Sequence, residues 1–371
     1  MRVLQICHSY YPPFLDCARQ YAALFKNSPY KVLTVYLTGD ANADVIAGSA
    51  SDEVVFLGYK SKQVSGLKLG AIAKIKQIVA NEHFIFCIAH RAKPTYLALL
   101  ATSLPVISVH HNYHDYSRWS RRLLVNYYQK RMLMLGVSDS VRDDLRRDLK
   151  GWLVERIQTL YNRIDIAATQ VKMVPKSEAR EALNLPQSGW IIGNVGRLHY
   201  DKDQATLIKA FAKALPHFHP DSLLVIVGKG PLEQSLKQLV ASLNLEANVI
   251  FTGNVPDAKR YFKAFDLFIL TSDKEPFGMV LLEAMAAELP IICSDCGGGA
   301  EVVCGIGDLF EFGNAEELSR LLLDHDQKKP SEVISTRLEK EKLHNVFSDE
   351  AARKQFFELN MIKNWLQKNP I

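Results

Sequence analysis

The run Leu267-Phe-Ile-Leu270-Thr-Ser-Asp-Lys-Glu275-Pro-Phe-Gly278-Met-Val-Leu-Leu-Glu283-Ala-Met285 changes period halfway along. Its first four residues are continuously apolar, which suits a short strand covered on both faces. Residues 271–278 are polar or turn-forming, and Pro276 and Gly278 punctuate them. From Met279 the apolar residues return at helical spacing, so Gly278 opens a helix. Strand, loop and helix in that order make one step of a parallel α/β sheet.

The same step recurs on both sides of this run. Downstream of residue 189, strands read at 190–195, 223–227, 249–251 and 291–293, with helices at 206–215, 232–243, 257–265 and 316–323. Upstream, strands read at 2–7, 31–37, 54–57, 84–89, 106–109 and 157–161, with helices at 67–80, 94–101 and 138–149. Pro94 suits the first turn of its helix. The alternation pauses over 171–189, where Pro175, Pro186 and Gly189 mark loops. A last helix is expected over 348–367, with Ser348 at its N-cap and Asp349 and Glu350 in its first turn. The expected class is α/β: two Rossmann-like, doubly wound domains facing across a cleft. The boundaries are 1–168 for the first domain and 169–349 for the second.

The whole-chain numbers agree. A chain of 371 residues holds two domains at about 100–200 residues each. Hydrophobic residues are 48% and charged residues 23%, which excludes a disordered chain or a small disulfide scaffold. The net charge of +5 is too small to imply nucleic acid. It hides a split. Residues 1–165 hold 22 Lys/Arg and 13 Asp/Glu, a net +9, and the rest hold 23 and 27, a net −4. Such asymmetry suggests that the first half faces an anionic surface. Cys293, Cys296 and Cys304 offer three thiols with no fourth Cys or His close by, so no metal site is expected. No secretory signal pattern and no apolar run of about 18–20 residues is seen. A protein of the reducing cytoplasm is expected.

Functional residues belong just after strands, because open α/β sheets bind ligands at their carboxyl ends. After 190–195 comes Gly196-Arg197-Leu-His-Tyr-Asp-Lys202-Asp203. Gly196 lets the chain turn sharply with no Cβ in the way. Arg197 offers a fork to phosphate oxygens and Lys202 a compact charge; the plain alternative is a surface loop with two solvated cations. Gly228-Lys229-Gly230-Pro231 reads either as a phosphate turn or as a tight strand-to-helix turn. Backbone N–H groups at Phe277, Gly278 and Met279 would make an anion site at a helix start. Glu275 and Glu283 are acceptors for sugar hydroxyls; the plain alternative is a core helix whose Glu283 pairs with a neighbouring cation.

Together these stretches resemble the retaining glycosyltransferases of the GT-B fold, in the large bacterial family with a Glu-x7-Glu motif. Glu275 and Glu283 match that motif in register. Residues 196–202 resemble the family's diphosphate-binding loop, Gly297-Gly298-Gly299-Ala300-Glu301 its Gly-Gly-x-x-Glu turn, and 105–110 its strand ending in His. Val137-Ser138 before a helix, and Asn162 with Asp165, fit the pattern before the linker. The resemblance spans nearly the whole chain, including a C-terminal helix, about 350–371, that crosses back onto the first domain.

It implies that Arg197 and Lys202 neutralise the donor diphosphate and that Glu283 binds the donor ribose. Glu275 would hold hydroxyls of the transferred sugar, with His110 near the reacting centre and His111 and His114 as rivals. The donor would be a UDP- or GDP-type nucleotide sugar, used without cofactor or metal. Two departures stand out. The family's Gly-Gly turn after the first strand is here Tyr10-Tyr11-Pro12-Pro13-Phe14-Leu15-Asp16-Cys17-Ala18, without glycine, and Asp16 is read as an acceptor contact, with His111 beside it as a second. The usual Asn-Gly before the linker is Asn162-Arg163.

Residues 117–131 contain Arg118, Arg121, Arg122, Lys130 and Arg131, with Trp119 and two Tyr, and no acid. Cations mixed with aromatics suit an anionic bilayer; the alternative is an amphipathic helix whose Leu123, Leu124, Tyr127 and Tyr128 face the core. The expected function is sugar transfer to a glycan or lipid-linked acceptor in lipopolysaccharide or other surface-polysaccharide synthesis. The enzyme would be peripheral on the inner face of the cytoplasmic membrane. The alternatives are a sugar-nucleotide epimerase or a phosphorylase on the same fold, or a non-catalytic glycan- or lipid-binding module. No motif supports a phosphorylase's cofactor lysine.

Overall fold

A computed structural model describes residues 1–11, 13–327 and 335–368. Pro12 of the first loop and residues 369–371 of the expected last helix lie outside the described residues. The chain divides into two compact units: Met1–Arg163 with Asp349–Ile371, and Ile164–Ser348.

Unit 1 is a seven-stranded sheet in the order β3-β2-β1-β4-β5-β6-β7. Its strands are β1 (Arg2–Cys7), β2 (Lys31–Thr38), β3 (Glu53–Tyr59), β4 (Phe84–His90), β5 (Val106–His110), β6 (Met132–Gly136) and β7 (Ile157–Thr159). All neighbours pair in parallel, with Cys7 opposite Tyr36 and His90 opposite Val109. The strands are continuously apolar because helices cover both faces. These are α1 (Phe14–Ala23), α2 (Ala43–Gly48), α3 (Leu69–Ala80), α4 (Ala92–Ala101), α5 (Trp119–Tyr128) and α6 (Asp139–Asp148). Ser138 caps α6 by accepting from Val141 N at 3.1 Å.

Unit 2 begins with α7 (Ile166–Lys172) and α8 (Lys176–Ala182). Its six parallel strands run β10-β9-β8-β11-β12-β13. They are β8 (Ile191–Val195), β9 (Leu223–Val227), β10 (Val249–Gly253), β11 (Leu267–Leu270), β12 (Ile291–Ser294) and β13 (Asp308–Phe310). Its other helices are α9 (Gln204–Ala214), α10 (Glu233–Ser242), α11 (Met279–Ala286), α12 (Gly297–Val303), α13 (Ala315–Gln327) and α14 (Ser335–Val346). Ile192, Leu224 and Ile226 of the sheet pack with Leu207 and Phe211 of α9. Each such side chain contributes about 1.5–3 kcal/mol when fully buried.

The expected boundaries shift slightly. The units divide after Arg163 rather than after residue 168, because Ile164 N donates to Phe347 O at 3.3 Å and Gln170 Nε2 to Ala286 O at 3.3 Å. The helix expected over 257–265 is a 3-10 turn, Ala258–Ala264. The long last helix is two, α15 (Asp349–Glu358) and α16 (Asn360–Gln367), broken where Leu359 turns extended at φ −60°, ψ 123°. This C-terminal segment belongs to the core of unit 1. Phe356 meets Phe25 with ring centroids 5.7 Å apart, and Trp365 meets Phe86 at 6.1 Å. Arg163 is fully buried, and its Nε donates to Asp349 Oδ1 at 3.0 Å.

Candidate functional site

In unit 2 the connections from β8 and β11, neighbours in the sheet, run to opposite sides, which opens a crevice at their carboxyl ends. Residues 196–203 leave β8 there and residues 271–278 leave β11. Backbone and side chain clasp the two loops: Asp273 N donates to Asp201 O at 3.0 Å, and Thr271 Oγ1 donates to Lys202 O at 2.8 Å.

The chemistry-bearing pair is Lys202 and Glu275. Lys202 Nζ lies 2.6 Å from Glu275 Oε2, which also accepts from Ser272 Oγ at 3.2 Å. Both side chains are largely shielded from water, so this charge-assisted bond is firmer than a surface pair. Arg197 is different. Its side chain is 72% exposed and stands 3.5 Å from Asp201 Oδ2. A surface pair of that kind is worth about 0–1 kcal/mol, so an anion can readily take the guanidinium. Burial would raise Asp201, but the hydrogen bond with His199 and the charges of Lys202 and Arg197 outweigh it and hold the carboxyl below its usual range.

The glycines act by close approach. Gly278 caps α11 in the left-handed region, at φ 90°. Gly298 N donates to Glu275 O at 2.8 Å, and a Cβ on Gly298 would sit 2.2 Å from Pro276 O. A Cβ on Gly299 would lie 3.4 Å from Glu275 Cβ. The Gly297–Gly299 turn is therefore the seat of the Glu275 loop. Gly196 corrects an expectation: a Cβ there would meet nothing closer than 3.9 Å, and its φ is not positive. The constraint lies across from it. Gly228 has φ 143° and a Cβ there would lie 1.9 Å from Gly196 O, while one on Gly230 would lie 2.2 Å from Leu198 O. The Gly228–Gly230 pair thus braces the Arg197 loop through its backbone.

Phe277 is buried, and its ring packs edge-on to Phe347 with centroids 5.7 Å apart. Met279 and Glu283 are half-buried on α11, and Leu282 is buried. Neither the first turn of α11 nor that of α12 carries an acid. Sequence reading missed Asn194 and Gln204. Asn194 is buried in β8 and donates to Ile269 O at 2.8 Å, and Gln204 donates to Arg197 O at 3.1 Å. The signal for Asn194 was a polar residue inside an otherwise apolar strand. Cys296 Sγ and Ser294 Oγ both donate to Ser272 O, at 2.7 and 2.6 Å, so Cys296 supports backbone. Among the described residues, no group of three or more His, Cys, Asp or Glu is placed to hold a metal ion.

The remaining candidates lie in unit 1. His110 is fully buried at the end of β5. Its Nδ1 faces Asp115 Oδ2 at 2.7 Å and its Nε2 faces Ser108 Oγ at 2.7 Å. Both ring nitrogens are thus engaged, and contact with a sugar would require it to give up one of these bonds. Asp16 is held by its own helix, through Arg19 Nε at 3.1 Å and Gln20 Nε2 at 2.7 Å.

His111 ends a directed chain. Gln5 Nε2 donates to Thr34 Oγ1 and Ala18 O, so its Oε1 must accept, from His90 Nε2 at 3.2 Å. His90 Nδ1 then accepts from His111 Nε2 at 3.2 Å, and His111 Nδ1 accepts from the Cys17 thiol at 3.6 Å. Burial first, then the His110 charge, lowers His90 to about 3, and burial followed by Asp16 pushes Cys17 up to about 12. Every member of the chain is neutral, as the donor directions require.

Helix α5 turns outward. Only Val125 of it is buried, whereas Trp119, Leu123 and Tyr127 are 68%, 59% and 81% exposed. Spaced four apart, they form one row. A groove there is lined by Trp119, Leu123 and Asn126 together with Arg122, Arg147, Lys150 and the acid Asp148. Arg121 and Arg131 are instead engaged with backbone: Arg121 Nη1 donates to Asp115 O at 2.7 Å, and Arg131 donates to Leu104 O and Leu99 O at 2.5 Å each. No described helix is long and apolar enough to cross a membrane.

Residues 175–352 match the family described as Glycosyl transferases group 1. The chain is 32% identical over 178 residues to N-acetyl-alpha-D-glucosaminyl L-malate synthase of Bacillus anthracis, covering 46% of this chain and 45% of that protein. It is 28% identical over 305 residues to N-acetylgalactosamine-N,N'-diacetylbacillosaminyl-diphospho-undecaprenol 4-alpha-N-acetylgalactosaminyltransferase of Campylobacter jejuni, covering 77% of this chain and 76% of that one. Its fold is that of Anabaena Alr3699/HepE, crystallised with UDP and glucose, with a TM-score of 0.78 at 22% identity over 96% of this chain and 98% of that one.

Proposed function

We propose that this chain, whose residues 175–352 match the Glycosyl transferases group 1 family, is a glycosyltransferase that moves a sugar from a nucleotide-sugar donor to a hydroxyl of a glycan or lipid-linked acceptor, with retention at the anomeric carbon. The observation that carries the reading is the Lys202–Glu275 pair beside exposed Arg197, at the carboxyl ends of β8 and β11. Two cations and two carboxylates in this order suit a diphosphate flanked by two sugars.

In this reading Lys202 and Arg197 take the donor diphosphate and stabilise the charge that grows on the departing nucleoside diphosphate. Their charges do the work that a divalent cation does elsewhere. Backbone N–H groups at residues 277–279 add to that pull. Glu283 accepts from the ribose, and Glu275, held by Lys202 and Ser272, accepts from hydroxyls of the transferred sugar. The bond from the anomeric carbon to the phosphate oxygen breaks and that to the acceptor oxygen forms on the same face. The acceptor proton passes to a donor phosphate oxygen, so no enzymic nucleophile is needed. The UDP named with the Anabaena structure and the diphospho-undecaprenol in the Campylobacter enzyme's name support a UDP donor and a lipid-linked, surface-glycan acceptor.

Titration against UDP, GDP and ADP sugars, with and without EDTA, tests this. Binding to none of them by folded protein refutes the reading, and binding abolished by EDTA refutes the metal-free part.

The outward row on α5 supports peripheral binding to the anionic inner face of the cytoplasmic membrane. Trp119, Leu123 and Tyr127 would enter the interface while Arg118, Arg122 and Lys130 meet lipid phosphates, at about 1 kcal/mol per cation. Co-sedimentation should favour phosphatidylglycerol over phosphatidylcholine vesicles and fall in Trp119→Ala/Leu123→Ala. Equal, salt-insensitive binding to both lipids would end this idea.

A further inference from the structure

Unit 1 has a switch point of its own. β1 and β4 lie side by side, and their connections run on to β2 and β5 at opposite sides. β4 enters α4 through a single residue, Arg91. Its backbone sits at φ 71°, ψ 171°, a region otherwise kept for glycine. Hydrogen bonds from Arg91 N to Val109 O at 2.7 Å, and from Thr95 Oγ1 to Arg91 O at 2.9 Å, hold it there. A glycine would satisfy this backbone better, so what arginine adds is its side chain. The guanidinium lies over the Phe14 ring, 5.4 Å from its centroid.

Three more half-buried cations gather nearby. Lys93 is two residues on. Lys68 Nζ stands 4.4 Å from the Tyr96 ring centroid, and Arg121 Nη1 donates to Asp115 O at 2.7 Å. Burial, then the charges of Lys93 and Arg121, lower Lys68. His8 is neutral, lowered to about 4 by burial and then by Lys93 and Arg91. The carboxylate that faces Arg91 and Arg121 is Asp115, and it is taken up by His110 at 2.7 Å. Among the described residues, none of the four cations forms an ion pair with a carboxylate.

We propose that Arg91 and Lys93, flanked by Lys68 and Arg121, form a subsite for a phosphate group carried by the acceptor; this deepens the glycosyltransferase reading and rests on it. Four cations against one engaged carboxylate suit a dianion better than a single carboxylate. Arg91 supplies the fork and the lysines supply point charges. The phosphate can be borne by a sugar or by a lipid.

The test uses the full chain and three probes: glucose 6-phosphate against glucose, phosphatidylglycerol against phosphatidylcholine vesicles, and UDP. Arg91→Gly is the informative variant because it removes the guanidinium while relieving the backbone. Its Tm should equal or exceed that of the wild type. In Arg91→Gly and in Lys93→Ala, phosphate-dependent binding should weaken about tenfold or more, with UDP affinity unchanged. Loss in the sugar arm assigns a sugar-borne phosphate and loss in the vesicle arm a lipid-borne one. Binding of glucose 6-phosphate no better than glucose, with vesicle binding unmoved by either substitution, overturns the subsite. Wild-type protein that binds glucose 6-phosphate but not UDP or any UDP sugar would sink the donor reading and leave the subsite standing.

Discussion

Replacing Gly298 by alanine tests whether the Glu275 loop is positioned by what lies beneath it. The added Cβ would stand 2.2 Å from Pro276 O, 2.6 Å from Pro276 C and 2.8 Å from Phe277 Cα. All three are backbone atoms, so no side chain can swing aside. Restoring a tolerable contact requires the loop to move by about 0.8–1.2 Å, and a misplacement of about 1 Å costs on the order of 100-fold in rate. That corresponds to about 2.7 kcal/mol in the barrier. The helix itself gains, since alanine is favoured over glycine by about 1 kcal/mol, so Tm should change little. Steady-state transfer from the donor found by titration, with Tm and UDP affinity measured alongside, checks this. Expected are a kcat/KM about 100-fold lower and a UDP affinity within about tenfold, because the Lys202 cation is retained. Activity within about twofold of wild type at unchanged Tm would refute the reasoning.

Lys202→Met should lower kcat/KM by about 100-fold or more, since it removes the cation of buried Glu275 and, in the proposed reading, a contact to the donor diphosphate; kinetics and urea unfolding check both, with about 1–3 kcal/mol of stability lost. Asp349→Ala should cost about 3–5 kcal/mol by stranding the fully buried Arg163 guanidinium, read as a lower urea midpoint. Acid should weaken the fold early. His90 and His8 titrate at about 3 and about 4 in the folded chain against about 6.5 unfolded, so the unfolded state binds more protons below pH 6.5. Stability is then full above pH 6.5 and falls, by up to about 1.4 kcal/mol per pH unit for each histidine, as pH drops toward 4. A series of urea midpoints from pH 7.5 to 4.5 should show the slope, and His90→Gln should reduce it.

The strand-loop-helix period made every strand but β6 and β13 legible in the sequence, because strands covered on two faces are largely apolar and their loops are not. The loops that carry Arg197, Lys202 and Glu275, and the helix that carries Glu283, followed from that alternation. Contacts across the sheet did not. Lys202 meets Glu275 only through the pairing of β8 with β11, and nothing local encodes it. Gly196 looked indispensable, whereas the close approach belongs to Gly228, in a different loop. The outward row of α5 was ambiguous because an amphipathic pattern does not say which medium its apolar side meets. Arg163 was illegible for the opposite reason: arginines are seldom fully buried, and the partners that make this one tolerable, Asp349 and the Gln20 carbonyl, lie far along the chain from it.

That distant partnership orders events at the ribosome. Unit 2 is contiguous and is complete once Ser348 has emerged, but unit 1 still waits for α15 and α16, which follow it in the chain. At about 5–20 residues per second, roughly 10–40 s separate Arg163 from Asp349. For that interval the nascent first unit shows Phe25 and Phe86 uncovered and a guanidinium without its carboxylate. Nascent-chain chaperones should therefore hold the amino-terminal half longest, and messages stalled before Asp349 should yield aggregates rather than a folded unit 1.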